Sequence, residues 1–197
     1  PEPFAVITTD SPRLCVDARD EGGSGVASVK FFARYFDYKG RPVEREFVSP
    51  EFCYWGTLLS CAEMIRSGVT CFADMYYYEH EVARAVAEAG NRCHIAGDIE
   101  HVDLERLKHG EFLYLPEKRD AAVRRAKELY HNWHGGADGR ITTLMCPKAP
   151  DMAMPDVYLE CKEFAEEHSL RLTTHLSQSQ REYRQVQRLF GKTPPQH

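Results

Sequence analysis

The segment Leu172-Thr-Thr-His-Leu-Ser-Gln-Ser179 puts an imidazole where an apolar stretch opens into the start of a helix. A neutral imidazole nitrogen at such a junction can ligate a metal ion, and the same ring can also be an interior group hydrogen-bonded to a neighbour. Spacing alone leaves both readings of His175 open. Three other junctions carry chemistry-bearing side chains: Asp74-Met75, Gly97-Asp98 and Cys146-Pro147-Lys148. Glu100-His101 lies just past one of them, placed to line the same mouth. His131-Asn-Trp-His134 could present two imidazoles on one helix face, but it precedes Gly135-Gly136, where histidines suit the carbonyl end of a helix. His94 falls inside an apolar run and reads as a satisfied interior group. Tyr76, Tyr77 and Tyr78 could stack on a planar ring, although three consecutive side chains cannot share one face, so core packing remains the alternative.

The elements that must position these residues follow from periodicity. Trp55, Leu58, Leu59, Ala62 and Ile65 share a helical face that stops at Gly68, and Val69 to Ala73 follows as a short strand ending at Asp74. Val82, Ala85, Val86 and Ala89 mark a second helix, closed by Gly90 and followed by a strand from Cys93. The alternation continues with a helix through Val123, Ala126, Leu129 and Trp133, a strand from Ile141 to Cys146, a helix from Pro155 to Phe164, and a strand from Leu170 to His175. Ser179-Gln-Arg-Glu182 has the form of a capping box opening a last helix that ends at Gly191, which places Gln178 in the preceding turn. Apolar strands separated by helices pair in parallel and are covered by those helices, which is an α/β architecture with function at the carboxyl ends of the strands. Periodicity does not separate a doubly wound sheet from part of a (β/α)8 barrel. No G-x-G-x-x-G or G-x-x-x-x-G-K-[ST] follows a strand, which favours the barrel. Residues 1–50 read as an irregular excursion before the regular units of 51–197, with a strand at Phe4–Thr8, a flexible loop at Glu21–Gly25 and a turn at Asp37–Pro42.

With 197 residues, 43% of them hydrophobic and 28% charged, the chain has the composition of one ordinary globular domain. A formal net charge of -5 provides no basic field for phosphates, so a small molecule is the expected partner and nucleic acid is not. The seven cysteines are odd in number and scattered, with no C-x-x-C pair, which fits free thiols in a reducing, cytoplasmic setting. No apolar run approaches the ~18 residues of a membrane span.

Tyr54-Trp-Gly-Thr-Leu-Leu-Ser-Cys-Ala-Glu-Met-Ile-Arg-Ser-Gly-Val-Thr-Cys-Phe-Ala-Asp-Met75 resembles the helix-plus-strand signature of the amidohydrolase superfamily. The similarity is to its branch of chlorohydrolases and methylthioadenosine/S-adenosylhomocysteine deaminases. Pro147-Lys-Ala-Pro150 matches the branch's P-H-A-P in part, His175-Leu-Ser-Gln178 its H-L-[AS]-E, and Gly191-Lys-Thr-Pro194 its G-x-T-P, in the family's order. The resemblance implies an internal segment of a metal-dependent (β/α)8 barrel, roughly strands two to five. The implied reaction is hydrolysis of a C–N or C–Cl bond of a nitrogen heterocycle, with zinc, or alternatively iron, lowering the pKa of its water towards ~7. It makes His175 a metal ligand, puts Met75 and Lys148 at the substrate and gives Gln178 the catalytic position. The family's remaining ligands, an H-x-H pair and an aspartate, lie outside this sequence. A homo-oligomer is compatible with the whole protein.

Two departures bear on mechanism. Glutamine cannot shuttle the proton that the deaminases' glutamate carries, so Gln178 implies a better leaving group, a proton carrier from elsewhere, or a mere helix-capping role. Lys148 replaces a histidine and could meet an anionic or carbonyl-bearing substrate, or lie exposed. A carboxylated, metal-bridging lysine is disfavoured because Lys148 aligns with a substrate position in this branch. A non-catalytic α/β ligand-binding domain and a degenerate homologue remain as alternatives. Because part of a barrel leaves strand edges unpaired, the segment alone is expected to aggregate or stay molten. A cooperative unfolding transition from a soluble monomer of these 197 residues would overturn that expectation.

Overall fold

The computed structural model describes residues 47–107 and 109–197, together with the backbone of three short strands among the first 46 residues. Those strands, β1 (Phe4–Ile7), β2 (Leu14–Arg19) and β3 (Ser28–Phe32), form an antiparallel sheet in the order β1-β2-β3. The stretch expected to be an irregular excursion therefore contains a meander. The expected loop at Glu21–Gly25 and turn at Asp37–Pro42 lie outside the described residues. The chain divides into compact units at 1–48 and 49–197.

The second unit alternates helix and strand: α1 (Pro50–Ser67), β4 (Cys71–Tyr76), α2 (Glu79–Ala89), β5 (Arg92–Ile99), the single turn α3 (Leu104–Leu107) and α4 (Pro116–Trp133). It continues with β6 (Ile141–Pro147), α5 (Pro155–Glu167), β7 (Arg171–Leu172), α6 (Gln180–Phe190) and a 3-10 turn at Pro194–Gln196. The four strands are parallel in the order β4-β5-β6-β7. A doubly wound sheet reverses its strand order at a switch point. Here each strand pairs with its sequence neighbour, so right-handed crossovers place the connecting helices α2, α4 and α5 on one face, as in a barrel wall. Sheet topology thus supplies the distinction that periodicity lacked.

On the helix-covered face, Ile99 and Met145 join Ala122, Val123 and Ala126 of α4 and Val157, Cys161 and Phe164 of α5 in one buried cluster. Burying each large side chain stabilises by ~1.5–3 kcal/mol, which makes this layer the main source of cohesion. Gly97 is what lets α4 approach: a Cβ there would lie 3.3 Å from Ala126 Cα. By alternation, Ala73, Met75, His94, Ala96, Asp98, Leu144 and Cys146 line the opposite face. Among the described residues, six cysteines are free and all but Cys71 are buried, and no helix is long and apolar enough to cross a membrane.

β4 begins at Cys71, two residues later than the apolar run starts. Gly68 adopts φ 80, its N–H and that of Val69 close back on the Ile65 and Met64 carbonyls, and only then does pairing with β5 begin. α4 begins at Pro116, a full turn and more before its first apolar face residue. Its opening is polar, with Arg119 bonded to Asp156 and Glu160 at 2.7 Å each.

Glu79 opens α2 and is buried, 6% exposed, with its carboxyl group accepting the Tyr76 N–H. Burial, with the Asp74 and Asp98 carboxylates adding to it, pushes its pKa up from 4.5 to about 9. Below about pH 4.5 the group is protonated whether folded or not. Between 4.5 and 9 the unfolded chain releases a proton that the folded chain keeps, so stability falls as pH rises through this window. In the whole protein, denaturation midpoints at pH 6 and 8.5 should differ accordingly, and Glu79→Gln should flatten that difference. Gly97→Val should lower stability by about 1–3 kcal/mol, read as a shift in denaturant midpoint, because Ala126 backbone has to give way.

Candidate active site

Two strands deliver charged side chains to their carboxyl ends. Asp98 and Glu100, two residues apart, project at the end of β5, and Lys148 follows Pro147 at the end of β6. The neighbouring strand ends are locked by the Lys148 N–H donating to the Ile99 carbonyl at 3.0 Å. Lys148 Nζ lies 2.7 Å from Asp98 Oδ2 and 2.8 Å from Glu100 Oε2, with all three side chains nearly buried. Lys118 from α4 closes the set, reaching Glu100 Oε1 at 3.0 Å and the Val102 carbonyl at 2.9 Å. Two ammonium and two carboxylate groups therefore balance.

The electrostatics follow from who touches whom. Burial opposes charge on Lys148, but its two carboxylate partners outweigh that and hold its pKa above the ordinary lysine range. Glu100 is likewise penalised by burial, and the ammonium groups of Lys148 and Lys118 outweigh the penalty and keep it below the usual value. Asp98 meets only Lys148 closely; burial dominates, and its pKa rises to about 6. Lys148 and Glu100 are thus each held towards the charged form by their partners. A carboxylated lysine at 148 would set an anion against these two carboxylates, so the geometry opposes that form. Lys148 is also not the exposed side chain that was one expectation for it. The Tyr77 ring lies 5.6 Å from its Nζ.

His175 stands exposed just past β7, tied through its N–H to the Lys148 carbonyl at 2.8 Å. The expected strand to His175 is recorded only over Arg171–Leu172, but the Thr173 N–H donates to the Met145 carbonyl at 3.0 Å, so pairing with β6 carries on towards the imidazole. Partial burial and the Lys148 charge both lower its pKa, favouring the neutral ring. Gln178 is exposed in the turn beyond, and the helix cap there belongs to Ser179, whose Oγ accepts the Glu182 N–H at 3.2 Å. Met75 lies on the open face of β4, half-buried, beside Ala96.

Of the lesser candidates, His134 is committed to packing, with Nδ1 accepting the Thr143 N–H at 3.1 Å. His94 pairs with the Thr142 hydroxyl. Tyr78 serves as the α2 cap residue with φ 57. His101 is buried against Tyr114. Lys118 went unnoticed in the sequence, since nothing local links it to Glu100. Among the described residues no three His, Cys, Asp or Glu side chains converge as a metal site, so His175 fits as one donor and not as a complete set.

The amidohydrolase family profile matches residues 29–196. The chain is 40% identical over 147 residues, 75% of its own length and 31% of the relative's, to a 5-methylthioadenosine/S-adenosylhomocysteine deaminase of Desulforamulus reducens. It is 37% identical over 147 residues, 75% and 32% of the two lengths, to a 5'-deoxyadenosine deaminase of Methanothermobacter thermautotrophicus. It spans about a third of the length of these relatives. In fold it is similar to an adenosine deaminase from Xanthomonas campestris with bound zinc, at TM-score 0.65 and 24% identity over 79% of this chain and 33% of that one. It is also similar to an atrazine chlorohydrolase from Arthrobacter aurescens complexed with zinc, at TM-score 0.65 and 18% identity over 78% and 36%. The sequentially ordered parallel strands, their one-sided helices and these likenesses make the 49–197 unit part of a (β/α)8 barrel, and the chain belongs to the amidohydrolase family.

Proposed function

We propose that the whole protein is a metal-dependent hydrolase that cleaves a C–N or C–Cl bond of a neutral nitrogen heterocycle, with His175 as one metal ligand. The observation that carries this reading is the juxtaposition of His175 and Lys148 at adjacent strand ends, joined by the 2.8 Å bond between their backbones. Zinc, with iron as the alternative, would supply Lewis acidity there, and the other ligands come from outside the described residues. The tasks of this chain's own side chains follow from their surroundings. Lys148 offers a fixed N–H donor to an acceptor atom of the ring, and its charge is already matched by Asp98 and Glu100, which favours a neutral substrate over an anionic one. Met75 and Tyr77 give the ring apolar surface. Gln178 can orient a polar group but cannot relay a proton, which favours chloride or another good leaving group over an amino group.

The test is metal analysis of the whole protein together with turnover on a panel of aminated and chlorinated purines, pyrimidines and triazines. His175→Ala should abolish both metal retention and turnover. Metal-loaded protein inert to the entire panel would instead select the non-catalytic homologue. Gln178→Glu should raise deamination relative to dechlorination by roughly 100-fold, since it restores an ionisable proton carrier. Lys148→Met, which strands the buried Asp98 carboxylate and leaves Glu100 with Lys118 alone, should cost about 3–5 kcal/mol in denaturant stability. Adding Asp98→Asn to Lys148→Met should recover part of that loss, and simple additivity of the two changes would contradict the coupling.

A further inference from the structure

The turn that presents His175 and Gln178 is held from behind by one buried carboxylate. Ser179-Gln-Arg-Glu182 has the spacing of a capping box, in which the glutamate would accept the N–H of the cap residue. The structure departs from that pattern. Ser179 does cap the helix, accepting the Glu182 N–H, but the Glu182 carboxylate reaches further upstream. Its Oε1 accepts the Ser177 N–H at 2.8 Å and its Oε2 the Gln178 N–H at 2.6 Å. Glu182 is 1% exposed, whereas the turn it holds is exposed throughout. Ser177 sits at φ 57, a left-handed conformation that a serine adopts only when something fixes it. Both carboxylate oxygens are thus occupied by the two peptides flanking the strained residue, through charge-assisted bonds. On the other side of the imidazole, the Lys148 carbonyl accepts from the His175 N–H at 2.8 Å and from Thr174 Oγ1 at 3.3 Å. His175 therefore hangs between two anchors, one on β6 and one in the first turn of α6.

We propose that Glu182 is a positioning residue, whose buried carboxylate sets the turn conformation that aims His175 and Gln178 at the mouth of the barrel. Its link to turnover rests on the hydrolase reading above; its hold on the turn does not. Glutamine at 182 keeps the length but has only one acceptor oxygen, so one of the two N–H groups loses its partner. Aspartate keeps the charge and loses the reach.

The experiment compares Glu182→Gln, Glu182→Asp and Ser179→Ala in the whole protein. Hydrogen exchange is followed by mass spectrometry, and the His175 ring signal by histidine-selective 13C NMR. With Glu182→Gln, peptides containing Ser177 and Gln178 should exchange at least tenfold faster and the His175 signal should move or broaden. If Glu182→Gln fails to fold, Glu182→Asp supplies the same comparison. Ser179→Ala removes the helix cap and leaves the carboxylate bonds, so it should speed exchange in the first turn of α6 with His175 unmoved. Where the enzyme turns over, Glu182→Gln should lower kcat at least tenfold with KM changed less than twofold. An unmoved His175 signal in the Glu182 variants overturns the proposal, as does an equal displacement in Ser179→Ala, which would reduce Glu182 to a cap. A wild-type protein with neither metal nor turnover overturns the hydrolase reading alone, and the exchange and ring signals still decide on Glu182.

Discussion

An ammonium group withdrawn from water has to be met by negative charge, and in this chain that demand ties together the ends of β5, β6 and α4. Asp98 and Glu100 lie two residues apart, so both turn towards Lys148, while Ile99 between them turns into the helix-covered core. One tripeptide therefore joins the apolar layer to the charged mouth. Apolar side chains of similar volume would be about as stable as this buried network, since the cost of desolvating each ion offsets most of its Coulombic gain. What the network provides is location. The Lys148 Nζ has carboxylate oxygens on two sides and cannot swing into solvent as a free lysine would.

The same peptide serves the imidazole. The Lys148 N–H donates to β5 and its carbonyl accepts from His175, so a single residue fixes the relative height of three strand ends. A barrel wall is suited to this arrangement, because sequential parallel neighbours bring consecutive strand ends side by side.

Much of this was legible in the sequence. Helix faces such as Val82-Ala85-Val86 and stops such as Gly68, Gly90 and Gly191 carry their signals within one or two turns, and the structure places elements there. The order of the strands was not legible, because a period of two or 3.6 says nothing about which strand lies beside which. Nor was the pairing of Lys118 with Glu100, which spans 18 residues and depends on where α4 docks. The start of β4 was misplaced because Val69 is apolar, whereas its backbone is spent on closing the helix at Met64. The Ser179–Glu182 box shows the same limit at short range: the residue types were right, and the carboxylate found its partners one and two positions upstream of the cap.

The close approach of Gly97 to Ala126 reaches beyond local packing. Between Ala126 and Lys118 the helix runs back about 12 Å at 1.5 Å per residue, while the strand advances about 10 Å from Gly97 to Glu100 at 3.3 Å per residue. Two scales of different pitch thus start from one shared mark and come level again where Lys118 meets Glu100. The depth at which α4 seats on Gly97 therefore also sets how far Lys118 stands from Glu100 at the rim.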